Sequence, residues 1–191
     1  MAEYLLDKLC KELAESIREP LMLDNSFGRA ERLTRLTMDG KRIYTANVYN
    51  GDVANGNEYT EVLPSDSLGN YAFFFAHDPE EVDNTGGVSI GVKATVSLIL
   101  WYDCRKMYDA LNVRSRDAVK AKVLDLLNGG VTLRAGHFRV VKVYELAENI
   151  WRGFSYDEID NQFLMHPYCG LRFEGIMTVN QNCHIDGRNY N

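Results

Sequence analysis

The chain has 191 residues, of which 46% are hydrophobic and 25% charged, an ordinary globular composition at the length of one domain. Its 21 basic and 27 acidic residues leave a net charge of -6, which argues against non-specific attraction to nucleic acid or to an anionic membrane as its main task. Cys10, Cys104, Cys169 and Cys183 are too few and too scattered for a disulfide framework, and the opening MAEYLLDKLCKELAESI interrupts its apolar positions with charges where a signal peptide or membrane span needs an apolar run, so free thiols in a reducing cytoplasm are expected.

Residues 4–18 place Leu6, Leu9, Leu13 and Ile17 at helical spacing with Lys8, Lys11, Glu12 and Glu15 between them, which predicts an amphipathic helix that stops before Pro20. Segments 32–38 and 42–48 flank Asp39-Gly40 and predict a β-hairpin closed by a two-residue type I′ turn. Residues 49–70 are rich in Asn, Gly, Asp and Ser and read as a long surface loop. Tyr71, Phe73, Phe74 and Phe75 then make segment 70–77 apolar on both faces, as in a short strand that is covered on both sides or docked on a partner. A polar break follows at 77–87.

The segment VSIGVKATVSLILWY, residues 88–102, alternates Val88, Ile90, Val92, Ala94, Val96, Leu98 and Leu100 with other residues, which is strand periodicity. At roughly 3.3 Å per residue it would span about 50 Å, well beyond ordinary strand lengths. Near its end Ile99 and Trp101 make the second face apolar too, so part of it is expected to pack under a covering element or outside its own body. Ser115 is a candidate N-cap for a helix to Asn128, with Val119, Val123, Leu126 and Leu127 as its buried stripe and Gly129-Gly130 as its stop. Residues 131–146 look extended with a bend at Ala135-Gly136, and 170–179 alternate Leu171, Phe173, Met177 and Val179 with Arg172, Glu174 and Thr178 as a further half-buried strand. The prediction is one α+β domain over 1–191: a mainly antiparallel sheet with long strands, packed by an N-terminal and a central helix, with extended loops at 49–70 and 77–87 and a projecting strand or hairpin.

No motif supplies a chemistry. His166, Cys169, Cys183 and His184 match no standard zinc spacing and read more simply as structural Cys and surface His, but this C-terminal cluster is one of two places that the alternative, a small cytoplasmic enzyme or metal-binding protein, would use. His77, Asp78, Glu80 and Glu81 crowd around Pro79 and are the alternative for a small enzyme or metal-binding protein, yet they read more simply as a solvated turn, as do Asp157, Glu158 and Asp160. The Gly-Gly pairs precede strands rather than helices, so they are not phosphate loops, and G-x-S-x-G and H-E-x-x-H are absent. No catalytic, cofactor-binding or metal-ligating residues are therefore assigned. Trp101, Tyr102, Tyr108, Trp151, Phe154 and Tyr156, with Arg105 and Arg152, could form a stacking platform, an adaptor reading that the acidic charge weakens. Aromatic and Arg enrichment also marks protein interfaces, and Phe74, Ile99, Trp101, Trp151 and Phe154 are the interface candidates.

An overlong strand left unpaired would invite aggregation, whereas head-to-tail strand addition between identical subunits satisfies it and closes into a ring. The order of amphipathic helix, hairpin, long strand ending in Leu98-Ile99-Leu100-Trp101-Tyr102-Asp103, helix from Ser115 and last strand around Leu171-Arg172-Phe173-Glu174 resembles the small tail-terminator and head-to-tail connector proteins of tailed bacteriophages. The likeness is one of pattern over most of the chain. It implies a small α+β fold and a homo-oligomeric ring in the neck or tail of the virion, assembled in the host cytoplasm. Its partners would be copies of itself and neighbouring portal, connector or tail proteins, with no membrane, and with nucleic acid at most passing through.

Overall fold

The computed structural model describes residues 5–83, 91–107, 116–130 and 136–180. The fold is α+β, with helices and a covering segment on opposite faces of one mixed, mostly antiparallel sheet. In chain order come α1 (Leu5–Arg18), β1 (Asn25–Leu36), β2 (Arg42–Asp52), β3 (Asn57–Glu61), β4 (Tyr71–Ala76), β5 (Glu81–Asp83), β6 (Gly91–Asp103), α2 (Cys104–Met107), α3 (Arg116–Asp125), β7 (Gly136–Tyr144), α4 (Ala147–Ile150) and β8 (Tyr168–Asn180). The strands lie in the order β3-β2-β1-β4-β6-β8-β7, with β5 pairing β6 beyond the end of β4. Every neighbouring pair is antiparallel except β1 and β4.

The predicted stripe of α1 is its buried face: Leu6, Leu9, Leu13 and Ile17, joined by Cys10 and Ala14, pack on the sheet. The central helix follows its pattern in part, burying Val119, Val123 and Leu127, but its last turn, Leu126–Gly130, widens to a π-helical turn, and the Ser115 cap lies outside the described residues. Together α1 and α3 cover one face of the sheet, where Ala72, Phe74, Ala94, Val96, Leu98, Leu100, Tyr102, Leu171 and Phe173 meet them.

The hairpin at Asp39-Gly40 forms with a different turn. Gly40 donates its N–H to the Thr37 carbonyl and Thr37 donates to the Lys41 carbonyl, each at 2.9 Å, and only Gly40 has positive φ, at 80°. A type I′ turn needs two such residues in succession, so the loop takes the longer form that ends in a left-handed glycine. The expected loop at 49–70 is largely ordered structure: β2 continues through Asp52 and β3 folds back on it, with Gly51 and Gly56 at positive φ where the ladder bulges and turns. Val62, Leu63 and Leu68 are buried.

The long strand is satisfied within its own fold, contrary to the expectation that it reaches outside. All thirteen residues of β6 pair with β8, and its other edge is taken by β4 from Val96 to Trp101 and by β5 from Gly91 to Lys93. It is the central strand of the sheet, and length is tolerated there because both edges are hydrogen-bonded. Residues 88–90 lie outside the described residues.

Candidate functional site

The second face of the sheet explains the two-sided end of β6. After β7 the chain turns back through α4 and two 3-10 turns, Tyr156–Glu158 and Asn161–Leu164, and lays Ile150, Trp151, Phe154, Ile159 and Phe163 over Tyr71, Phe73, Ile99 and Trp101. Trp151 stands 5.6 Å from the Trp101 ring and 6.0 Å from Phe73, while Phe154 meets Phe75 edge-on at 4.8 Å. All five interface candidates are therefore interior: Ile99, Trp101, Trp151 and Phe154 lie under this cover, and Phe74 lies on the helix side against Phe138. The expected covering element exists, and it belongs to the same chain. The aromatic platform is likewise not on the surface: Tyr102 is buried as well, only Tyr156 is exposed, and Tyr108 lies outside the described residues.

A buried cation pins this cover to the sheet. Arg172 on β8 is 0% exposed. It donates from Nε to Ser97 Oγ at 2.9 Å, from Nη1 to the carbonyls of Ile150 at 3.0 Å, Arg152 at 2.9 Å and Asn149 at 3.4 Å, and from Nη2 to His77 Nε2 at 2.8 Å. The His77 Nε2 that accepts from Arg172 also lies 2.9 Å from Ser97 Oγ, so it must be unprotonated, with the ring proton on Nδ1. Burial and then the Arg172 charge lower the His77 pKa, and burial lowers that of Arg172 to about 10. Glu174 supplies the balancing charge two residues along, at 2.6 Å from Arg152 and 3.8 Å from Lys142.

Ser97 and His77 stand at the distance of a nucleophile and its base, but the arrangement does not serve catalysis. Ser97 is 0% exposed, and its oxygen already accepts from Arg172. No carboxylate on the His77 Nδ1 side is among the described bonds, as an oriented base would need. The rest of the acidic turn disperses: Glu80 faces Arg29 at 3.8 Å and Glu81 faces Lys93 at 3.2 Å. His166 is exposed and Cys169 buried, Cys183 and His184 lie outside the described residues, and no three metal-ligating side chains converge among those described. Asp157 pairs with Lys41 at 2.7 Å, and Asp160 caps the 3-10 turn through the Gln162 N–H.

Besides the outer edges of β7 and β3 at the ends of the strand order, the described residues leave open a stretch of backbone on β1. β1 pairs with β4 only as far as Ala30, then continues for six residues, Glu31–Leu36, with β2 as its single strand partner among the described residues. Glu31, Arg32, Thr34, Arg35 and Leu36 are exposed, and Leu36 (67%) and Met38 (110%) offer apolar side chains to solvent. The β2 side is occupied, since the Ser155 N–H donates to the Tyr44 carbonyl and the Tyr44 N–H to Ser155 Oγ. Residues 31–42 carry Arg32, Arg35, Lys41 and Arg42 against Glu31 and Asp39, in a chain whose net charge is -6. Sequence reasoning found this hairpin but gave the outward role to β6, because strand length is visible in a sequence and strand order is not. Comparison with protein families and with curated proteins finds no match to the chain.

Proposed function

We propose that the protein is a structural, ring-forming virion component of the neck or tail of a tailed bacteriophage, acting by fitting against copies of itself and against neighbouring portal, connector or tail proteins. The observation that supports this reading is the open β1 edge, Glu31–Leu36, ending in the exposed Leu36 and Met38. Unpaired edges of this kind recruit a strand from another chain. A basic hairpin end on an acidic chain suits a head-to-tail contact between copies, because the end of one subunit meets the opposite charge on the next, and heterologous contacts of that kind close into rings.

Native mass measurement with negative-stain imaging tests the reading, on the protein alone and mixed with candidate neck proteins. The comparison variant combines Arg32→Glu, Arg35→Glu and Met38→Ser. All three residues are on the surface, but Arg32 lies 5.0 Å over the Tyr44 ring and Arg35 stands 3.8 Å from Glu61, so the monomer should lose about 1–2 kcal/mol and remain folded. The expected result is a ring for wild type and its loss in the variant. A wild-type particle that stays monomeric under every condition, or a variant that assembles as well as wild type, overturns it.

A further inference from the structure

The open stretch of β1 and the outer edge of β3 carry opposite charges at the same spacing. On β1 the exposed cations Arg32 and Arg35 are three residues apart, and on β3 so are the carboxylates of the half-buried Glu58 and the exposed Glu61. Side chains alternate between the faces of a strand, so each pair puts one charge on either face of the sheet. Glu31, Asn47 and Glu61 stand abreast across β1, β2 and β3, which places Arg35 on the face of Glu61 and Arg32 on the face of Glu58. Both strands run antiparallel to β2 and are therefore parallel to each other.

A second copy that continued the sheet in the same sense would bring its β3 parallel to the open β1 edge. With Arg32 beside Glu58 of that copy, the other residues fall into step: Leu33 beside Tyr59, Thr34 beside Thr60 and Arg35 beside Glu61. Opposite charges, an aromatic against an apolar side chain and two threonines are all favourable neighbours across strands. The contacts these groups already make within the chain are loose. Arg35 reaches its own Glu61 only at 3.8 Å, with 59% and 41% of the two side chains exposed, and Tyr59 donates to Glu31 at 3.3 Å. Exchanging them disturbs nothing in the core. The edge at the far end of the sheet offers no such match, because β7 exposes His137, Arg139 and Lys142 and would set cations against Arg32 and Arg35.

Resting on the ring reading of this chain, we propose that the acceptor of the open β1 edge is β3 of the next copy, joined as a parallel strand with Arg32 on Glu58 and Arg35 on Glu61. The two edges lie on opposite sides of the β3-β2-β1 ribbon, so every copy offers both and the contact passes head to tail.

Charge exchange in the full chain tests this. Arg32→Glu with Arg35→Glu makes both edges acidic, and Glu58→Arg with Glu61→Arg makes both basic. Under conditions where wild type assembles, each double variant alone should self-associate about tenfold or more weakly, with its monomer fold checked by circular dichroism. An equimolar mixture of the two should assemble again, with alternating composition by native mass measurement, and all four substitutions in one chain should restore assembly as well. Wild type gives a check that stands even if a variant fails to fold: on assembly, amide exchange should slow in residues 31–36 and 57–61 together. A basic β3 variant that assembles as well as wild type, a mixture of folded variants that does not recover, or protection confined to one of the two segments would show that β1 meets another surface, such as a second β1 edge. Each of these overturns the proposal and leaves the ring standing, whereas a wild type that never assembles overturns both.

Discussion

Replacing Trp151 by Ala separates an interior role from an interface role for the cover. Trp151 is 0% exposed and lies against Trp101, Phe73 and Phe154. A tryptophan buries about 150–250 Å², and at about 25 cal/mol per Å² this transfer amounts to about 4–6 kcal/mol. An extended reference chain makes that an upper bound, and the Nε1–H of Trp151 has no hydrogen-bond partner among the described residues, so truncation also removes a desolvated donor. The expected net loss is about 4 kcal/mol, within the range seen for large aromatic truncations. In urea that lowers the unfolding midpoint of the monomer by about 1.5 M, for a slope of about 2.5 kcal/mol per M. Trp151→Phe keeps most of the area and deletes the orphaned donor, so it should stay within about 1.5 kcal/mol of wild type. A Trp151→Ala monomer that unfolds within about 0.5 kcal/mol of wild type would show that the cover does not hold the core.

Three further outcomes follow from the same geometry. Arg172→Met leaves the Ile150 and Arg152 carbonyls without their donor, at about 1–3 kcal/mol each, partly offset by removing a buried charge; a net loss of about 2–4 kcal/mol is expected, with faster amide exchange in residues 149–154, and unchanged exchange there would remove the clamp from the account. His77 has a folded pKa below its ordinary 6.5, so the unfolded chain takes up this proton more readily; the stability it contributes is complete above about pH 6.5 and is lost as pH falls below that, and His77→Gln should flatten the unfolding midpoint between pH 7 and pH 5, whereas parallel curves for variant and wild type would contradict it. Gly170→Ala drives a Cβ into the Trp101 ring, so it should cost about 1–3 kcal/mol and change the near-ultraviolet circular dichroism, and an unchanged spectrum would refute that contact.

The elements that announce themselves by period are those that bury one face against a broad surface. The α1 stripe, the alternation of β6 and β8, and the apolar segment that becomes β4 could all be read from spacing, since each pattern records which side meets the core. The cover could not. Ile150, Trp151, Phe154, Ile159 and Phe163 follow no repeat, because short turns present side chains at irregular angles, and their common target appears only when residues far away in sequence form the sheet. The parallel pairing of β1 with β4 is hidden for the same reason: it depends on strand order, which hydrophobic pattern leaves open. Arg172 was misleading in the other direction. Its place opposite Leu171 and Phe173 reads as a solvent-facing position, yet the backbone carbonyls of the cover make that site hospitable to a cation, and no local pattern reports carbonyls supplied from twenty or more residues away.

The continuity of β1 gives the hairpin end a mechanical meaning. One strand runs from the body, where Asn25, Ser26, Arg29 and Ala30 pair with β4 across a shift of register between Ser26 and Arg29, directly into the stretch from Glu31 to Leu36. A pull on the tip along the strand is therefore carried into the body as shear across the β1–β4 ladder, loading several hydrogen bonds together, and is not spent bending a linker. A subunit gripped by this end would move as one lever, so displacement at a contact would be handed to the sheet and to both layers packed on it.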